Sequence, residues 1–252
     1  MFWFGKKHSR CIGGGSLALN TEFLDYLPRL KDGKLSIWLS IALSLNHDGI
    51  ARTGYTQIKN NTGFSVIQIK RAIKQLELGS NRPLMRLGYQ EKGRKDTYKL
   101  TFALCPDNCQ LMASTNSRPF KKKSTFMLIE YGFRKHLKDF HEQPAQLSIL
   151  LALSLLSART PFANNGCTTS TTELVRLTGY HRNTIQTSID ALCNSNIIDG
   201  LPLVVRSKTE HWNYVYFPWP SITQIARCDF RQLVIHEKPT AQIVHLTSRA
   251  RG

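Results

Sequence analysis

One pattern 23 residues long occurs twice in this chain, and the repeat constrains the fold more than any other feature. Residues 54–76 read GYTQIKNNTGFSVIQIKRAIKQL and residues 170–192 read STTELVRLTGYHRNTIQTSIDAL. A shift of 116 positions lays Leu174 on Ile58, Thr178-Gly179-Tyr180 on Thr62-Gly63-Phe64, and Ile185, Ile189 and Leu192 on Ile69, Ile73 and Leu76. In each copy the Thr-Gly-aromatic triplet punctuates the stretch, so that two short helices meet at a tight turn. Ser65 followed by Gln68 is a capping box that starts the second helix. Beyond it Ile69, Ala72, Ile73 and Leu76 share one face and pack inward. Ile67, Arg71, Lys74 and Gln75 then point outward, an apolar back behind a basic front.

The repeat extends in both directions. Upstream, Leu35-Ser-Ile-Trp-Leu39 matches Leu147-Ser-Ile-Leu-Leu151, and Phe23 and Leu27 match Phe133 and Leu137. The shift falls there to 112 and then 110, which places small insertions in loops. Downstream, Pro83–Leu87 and Thr97–Phe102 are apolar runs around a charged tip, Glu91–Lys95, a hairpin signal. The second copy has Leu201–Arg206 and Tyr214–Phe217 around Ser207–Asn213.

Three helices followed by a hairpin is the winged-helix plan, and both copies resemble it over about 90 residues each. More narrowly, the layout resembles that of plasmid and phage replication initiators, which carry two winged helices in one chain, each opening with a short strand and helix. The resemblance implies an α+β, mainly α fold of two tandem winged-helix domains. The expected divisions are a flexible arm (1–15), domain 1 (16–106), a basic linker (107–124), domain 2 (125–220) and a C-terminal extension (221–252). About 18 linker residues reach roughly 20 to 25 Å as a flexible chain, enough to keep two domains close. Lys34–Asn46 is expected to be the main amphipathic helix of domain 1, with Trp38 in its core.

Charge selects the partner. Lys and Arg number 34 against 17 Asp and Glu, a formal net charge of +17, and a field of that sign attracts polyanions. Duplex DNA leads, an anionic membrane surface is second, and no apolar run is long enough to span a bilayer. Met1–His8 lacks the apolar core of a signal peptide, so a cytoplasmic location is expected. Six scattered cysteines read as free thiols. Cys105-Pro-Asp-Asn-Cys109 with His136 and His141 is a poor zinc pattern, because histidines five apart do not share a helix face.

The expected DNA-contacting residues are therefore Ser65, Ile67, Gln68, Lys70, Arg71 and Lys74 on the first reading helix, with Lys92, Arg94 and Lys95 on its wing. On the second helix, which also shows Asp190, they are His181, Arg182, Asn183, Thr184, Gln186 and Thr187, with Lys208 on the wing. Lys121, Lys122 and Lys123 track the phosphate backbone or serve only as a solvated tether. Asn and Gln pair adenine and Arg pairs guanine, so unlike helices suit an asymmetric site.

No paired carboxylates, Ser/His/Asp set, Walker lysine or Rossmann glycine pattern appears, so neither catalysis nor a cofactor or metal is expected. The residues leave three roles open: a replication initiator that also meets host replication proteins, a transcriptional regulator at a promoter, and an adaptor using one domain for DNA and one for protein. Whether the chain acts as a monomer or a homodimer is also left open.

Overall fold

The computed structural model describes residues 16–44, 50–78, 85–92, 98–104, 112–114, 126–159, 166–195, 202–208 and 214–218. The arm, the C-terminal extension, Cys105, Cys109, Arg94, Lys95 and Lys121–Lys123 lie outside them. The described part is mainly helical with small antiparallel sheets.

The first half runs β1 (Ser16–Asn20), a 3-10 helix (Thr21–Arg29), α1 (Lys34–Ala42), β2 (Ile50–Thr53), α2 (Tyr55–Thr62), α3 (Val66–Leu78), β3 (Met85–Lys92), β4 (Tyr98–Leu104) and β5 (Met112–Ser114). The second half repeats the order through the hairpin with β6 (Phe126–Glu130), a second 3-10 helix (Tyr131–Phe140), α4 (Pro144–Arg159), β7 (Cys167–Thr168), α5 (Thr171–Thr178), α6 (Arg182–Cys193), β8 (Val204–Lys208) and β9 (Tyr214–Pro218), with no described counterpart of β5. Each hairpin gains a third strand, giving the orders β2-β4-β3 and β7-β9-β8. Those extra strands are four and two residues long, too short to leave a periodic signal.

The turn between α2 and α3 is built the same way as that between α5 and α6. Thr62 Oγ1 donates to the Ile58 carbonyl at 2.7 Å and Thr178 Oγ1 to that of Leu174 at 2.7 Å. Each hydroxyl then accepts the amide of the aromatic residue two further on, Phe64 or Tyr180, at 3.4 Å. Between them Gly63 and Gly179 hold φ of 78° and 71°, the left-handed region in which a helix ends and a Cβ is costly.

Two expectations are revised. The helix at Lys34 is not amphipathic: every residue from Leu35 to Ala42 is buried, because α1 is covered by α2 and α3 on its own half and by α4 and the second 3-10 helix from the other. A helix apolar all round is an interior helix. Trp38 is fully buried as expected and stacks on Phe23, with centroids 4.6 Å apart. Met112–Ser114, inside the segment expected to be a linker, forms β5 and pairs with Leu17–Leu19 of β1.

The halves are joined as well as tethered. β1 pairs antiparallel with β6 in the register Leu17↔Ile129, Ala18↔Leu128 and Leu19↔Met127. With the shift of 110, Leu17 is equivalent to Met127 and Leu19 to Ile129, so the ladder is reciprocal and a pseudo-twofold axis passes at the Ala18–Leu128 pair. Isologous contacts of this kind define a twofold interface. The 3-10 helices obey the same operator: the first packs against α4 and α5, the second against α1 and α2. So do the turns. Gly63 and Phe64 meet His141, with the Phe64 and His141 rings 4.5 Å apart, while Gly179 and Tyr180 meet Lys31, whose Nζ lies 5.3 Å from the Tyr180 centroid. One apolar core runs through both halves, from Leu17 and Trp38 to Ile185 and Tyr216.

Candidate nucleic-acid interface

α3 is held from behind by Ile69, Ala72 and Ile73, all buried. Its start is the expected capping box. Gln68 Oε1 accepts from the Ser65 amide at 2.9 Å and from Ser65 Oγ at 2.8 Å, and the Gln68 amide donates to Ser65 Oγ at 3.3 Å. The outward face carries Ser65, Ile67, Gln68, Lys70, Arg71 and Lys74, all exposed. Lys70 Nζ lies 5.2 Å from the Tyr55 ring centroid, a cation–π contact that steadies the long side chain over α2. Ile67 is 64% exposed, and among the described residues only Tyr214 is another exposed large apolar side chain.

α6 occupies the equivalent place, held by Ile185, Ser188, Ile189 and Leu192. His181, Arg182, Asn183, Thr184, Gln186 and Thr187 are exposed along it. His181 stands at the N-cap but makes no side-chain capping bond, whereas one helix earlier Ser170 Oγ accepts the Glu173 amide at 3.1 Å. The predicted contact residues of both helices thus come together on two exposed faces. Those faces differ in charge: α3 presents Lys70, Arg71 and Lys74, where α6 has Gln186, Thr187 and Asp190.

Lys92 and Lys208 close the first strand of their hairpins, paired with Tyr98 and Tyr214. A shift of 116 carries one pair onto the other, so both hairpins place a lysine at the same register position beside the tip.

Arg206 was not expected at this interface. Its Nη1 lies 3.0 Å from Asp190 Oδ1, and its guanidinium stands 5.0 Å from the Tyr214 centroid. Asp190 also accepts from Gln186 Nε2 at 3.2 and 3.3 Å. The i, i+4 pairing of Gln186 and Asp190 is readable from sequence, but the Arg206 contact depends on the register of β8 against β9. The carboxylate thus serves the hairpin and the helix together.

Behind this face burial pushes the Tyr216 phenol up to about 12, the Arg206 charge opposing the shift. Cys167, its cross-strand partner, is pushed up to about 12 by burial and by the Glu173 carboxylate. Among the histidines of the weak zinc pattern, His136 Nδ1 lies 3.4 Å from Asp139 Oδ2 and His141 packs on Phe64. No helix among the described residues is long and apolar enough to cross a membrane.

Against models of known protein families and against curated protein sequences, the chain matches none.

Proposed function

We propose that this protein binds double-stranded DNA at a specific sequence through two winged helices, residues 16–106 and 125–220, and acts as a plasmid-type replication initiator. The observation that carries the reading is the pair of exposed helices, α3 and α6, set on equivalent turns of a pseudo-twofold frame and bearing unlike polar faces. A helix of this kind fits the major groove, where Arg, Asn and Gln distinguish base edges, while hairpin lysines grip phosphate. The net charge of +17 supports a polyanionic partner.

The pseudo-twofold frame adds a geometric expectation. Readers related by a dyad meet the duplex with opposite strand sense, so the two half-sites run in inverted orientation while differing in sequence. The initiator role is supported by the opening strand and helix of each half. A dyad-related pair of readers equally suits a single promoter operator, the role of a transcriptional regulator. An array of sites beside the gene supports the initiator; one operator at a promoter supports the regulator.

Titration of the full chain against duplex DNA at several salt concentrations tests the proposal. With about six phosphates contacted, log K falls against log salt with a slope of roughly −5. A flat response, or equal affinity for all sequences, removes the proposal.

A further inference from the structure

Gln186 and Asp190 lie one turn apart on α6, and the hydrogen bonds between them fix which end of the glutamine amide faces the helix. A carboxylate only accepts, so the end it holds is the NH2 group, Nε2, at 3.2 and 3.3 Å from its two oxygens. The carbonyl Oε1 is left to face away. Arg206 Nη1, 3.0 Å from the same carboxylate, and the Tyr214 ring beneath Arg206 anchor Asp190 to the hairpin, so the carboxylate is held from a second element. α3 shows the opposite arrangement: Gln68 Oε1 is occupied by the Ser65 amide and hydroxyl, which leaves its NH2 group outward.

We propose that Asp190 is a positioning residue for base reading: by holding the Gln186 amide nitrogen through one of its two hydrogens it turns the carbonyl acceptor outward, and so biases α6 towards a base with an amino group on its major-groove edge, adenine or cytosine. Only those two bases carry such a donor in the major groove; guanine and thymine offer acceptors at the corresponding places. An unrestrained glutamine can turn its amide over and satisfy either kind. The inference rests on the duplex-reading proposal above and adds to it the polarity of one contact.

Selection of the full-length protein on duplexes with a randomised central segment, followed by sequencing, tests this. The wild-type chain is expected to enrich a site in which one position of one half-site is restricted to adenine or cytosine, by about fivefold over the other two bases, the discrimination of one net hydrogen bond. Asp190→Asn, whose amide offers either end, and Asp190→Ala widen that position to all four bases, and Gln186→Ala does the same. The half-site read by α3 stays unchanged in all three, which supplies an internal control. Both Asp190 variants also free Arg206 and so strengthen binding to every sequence, which is why base preference and not affinity is the readout. Enrichment with identical base preferences in wild type and the Asp190 variants overturns the inference alone. No enrichment by the wild-type chain overturns the duplex-reading proposal and the inference with it.

Discussion

Ile67 is 64% exposed on a face otherwise made of polar and cationic side chains, and burial against a partner is what an apolar side chain there gains. In a major groove the matching apolar group is the thymine methyl. Replacing thymines by uracil in the selected site should therefore weaken wild-type binding at one position by about 1 kcal/mol, roughly the worth of one buried methyl, and leave Ile67→Ala unaffected by that change. Fluorescence titration of the four protein–DNA combinations measures the coupling; the same uracil penalty in both proteins removes Ile67 from the reading face. Arg71→Ala should cost roughly 1 to 3 kcal/mol on the selected site and relax one base position, whereas Arg94→Ala, in the charged stretch 91–95 of the sequence, should weaken all sequences alike. Gly179 is constrained in two ways. Its φ is 71°, and an added Cβ would stand 2.6 Å from Lys31 Cε. Gly179→Ala should lower stability by about 1 to 2 kcal/mol from the left-handed backbone alone, measured by urea unfolding.

Among the elements, those legible in the sequence carry their signal locally. α3 and α6 show apolar residues at helical spacing, and the Ser65–Gln68 box is a contact between neighbours in the chain. β2, β5 and β7 were not legible, because strands of two to four residues exist only through partners far away, Leu100–Ala103 for β2 and Leu17–Leu19 for β5. The same reason hid Arg206, whose contact with Asp190 follows from hairpin register. At the level of one sheet, β7 and β9 set Cys167 opposite Tyr216, and both groups are raised, from ordinary values of 9.0 and 10.0 to about 12. The folded state thus holds these protons more tightly than the unfolded chain. Their contribution to stability is complete below about pH 9 and is lost as pH rises towards 12. Urea midpoints measured from pH 7 to 11 should fall on the alkaline side, and the fall should be shallower in a chain carrying Cys167→Ala and Tyr216→Phe together. An equal fall in both proteins would place the titrating groups elsewhere.

For the whole molecule the decisive fact is the shared core. A linker reach of 20 to 25 Å permits two domains that dock independently, yet β1 pairs with β6 and each 3-10 helix packs on the other half's helices. Leu27→Ala and Leu137→Ala, one in each 3-10 helix and both fully buried, should each cost about 2 to 5 kcal/mol and lower one common melting transition without splitting it. Two separate transitions in calorimetry would show that the halves fold alone. None of this joint was legible in the sequence, since the repeat establishes that equivalent halves exist but not whether a translation or a rotation relates them. The reciprocal ladder at Ala18–Leu128 answers that with a rotation. An ordinary homodimer with such an axis presents the same reader twice, and it sits on its site equally well after being turned end for end. On the proposed function the two readers lie in one chain and carry unlike faces, so turning the protein around on the DNA would exchange Arg71 and Lys74 with Thr187 and Asp190. On that reading the complex would have a left and a right, and anything assembled beside it would inherit a single direction along the duplex.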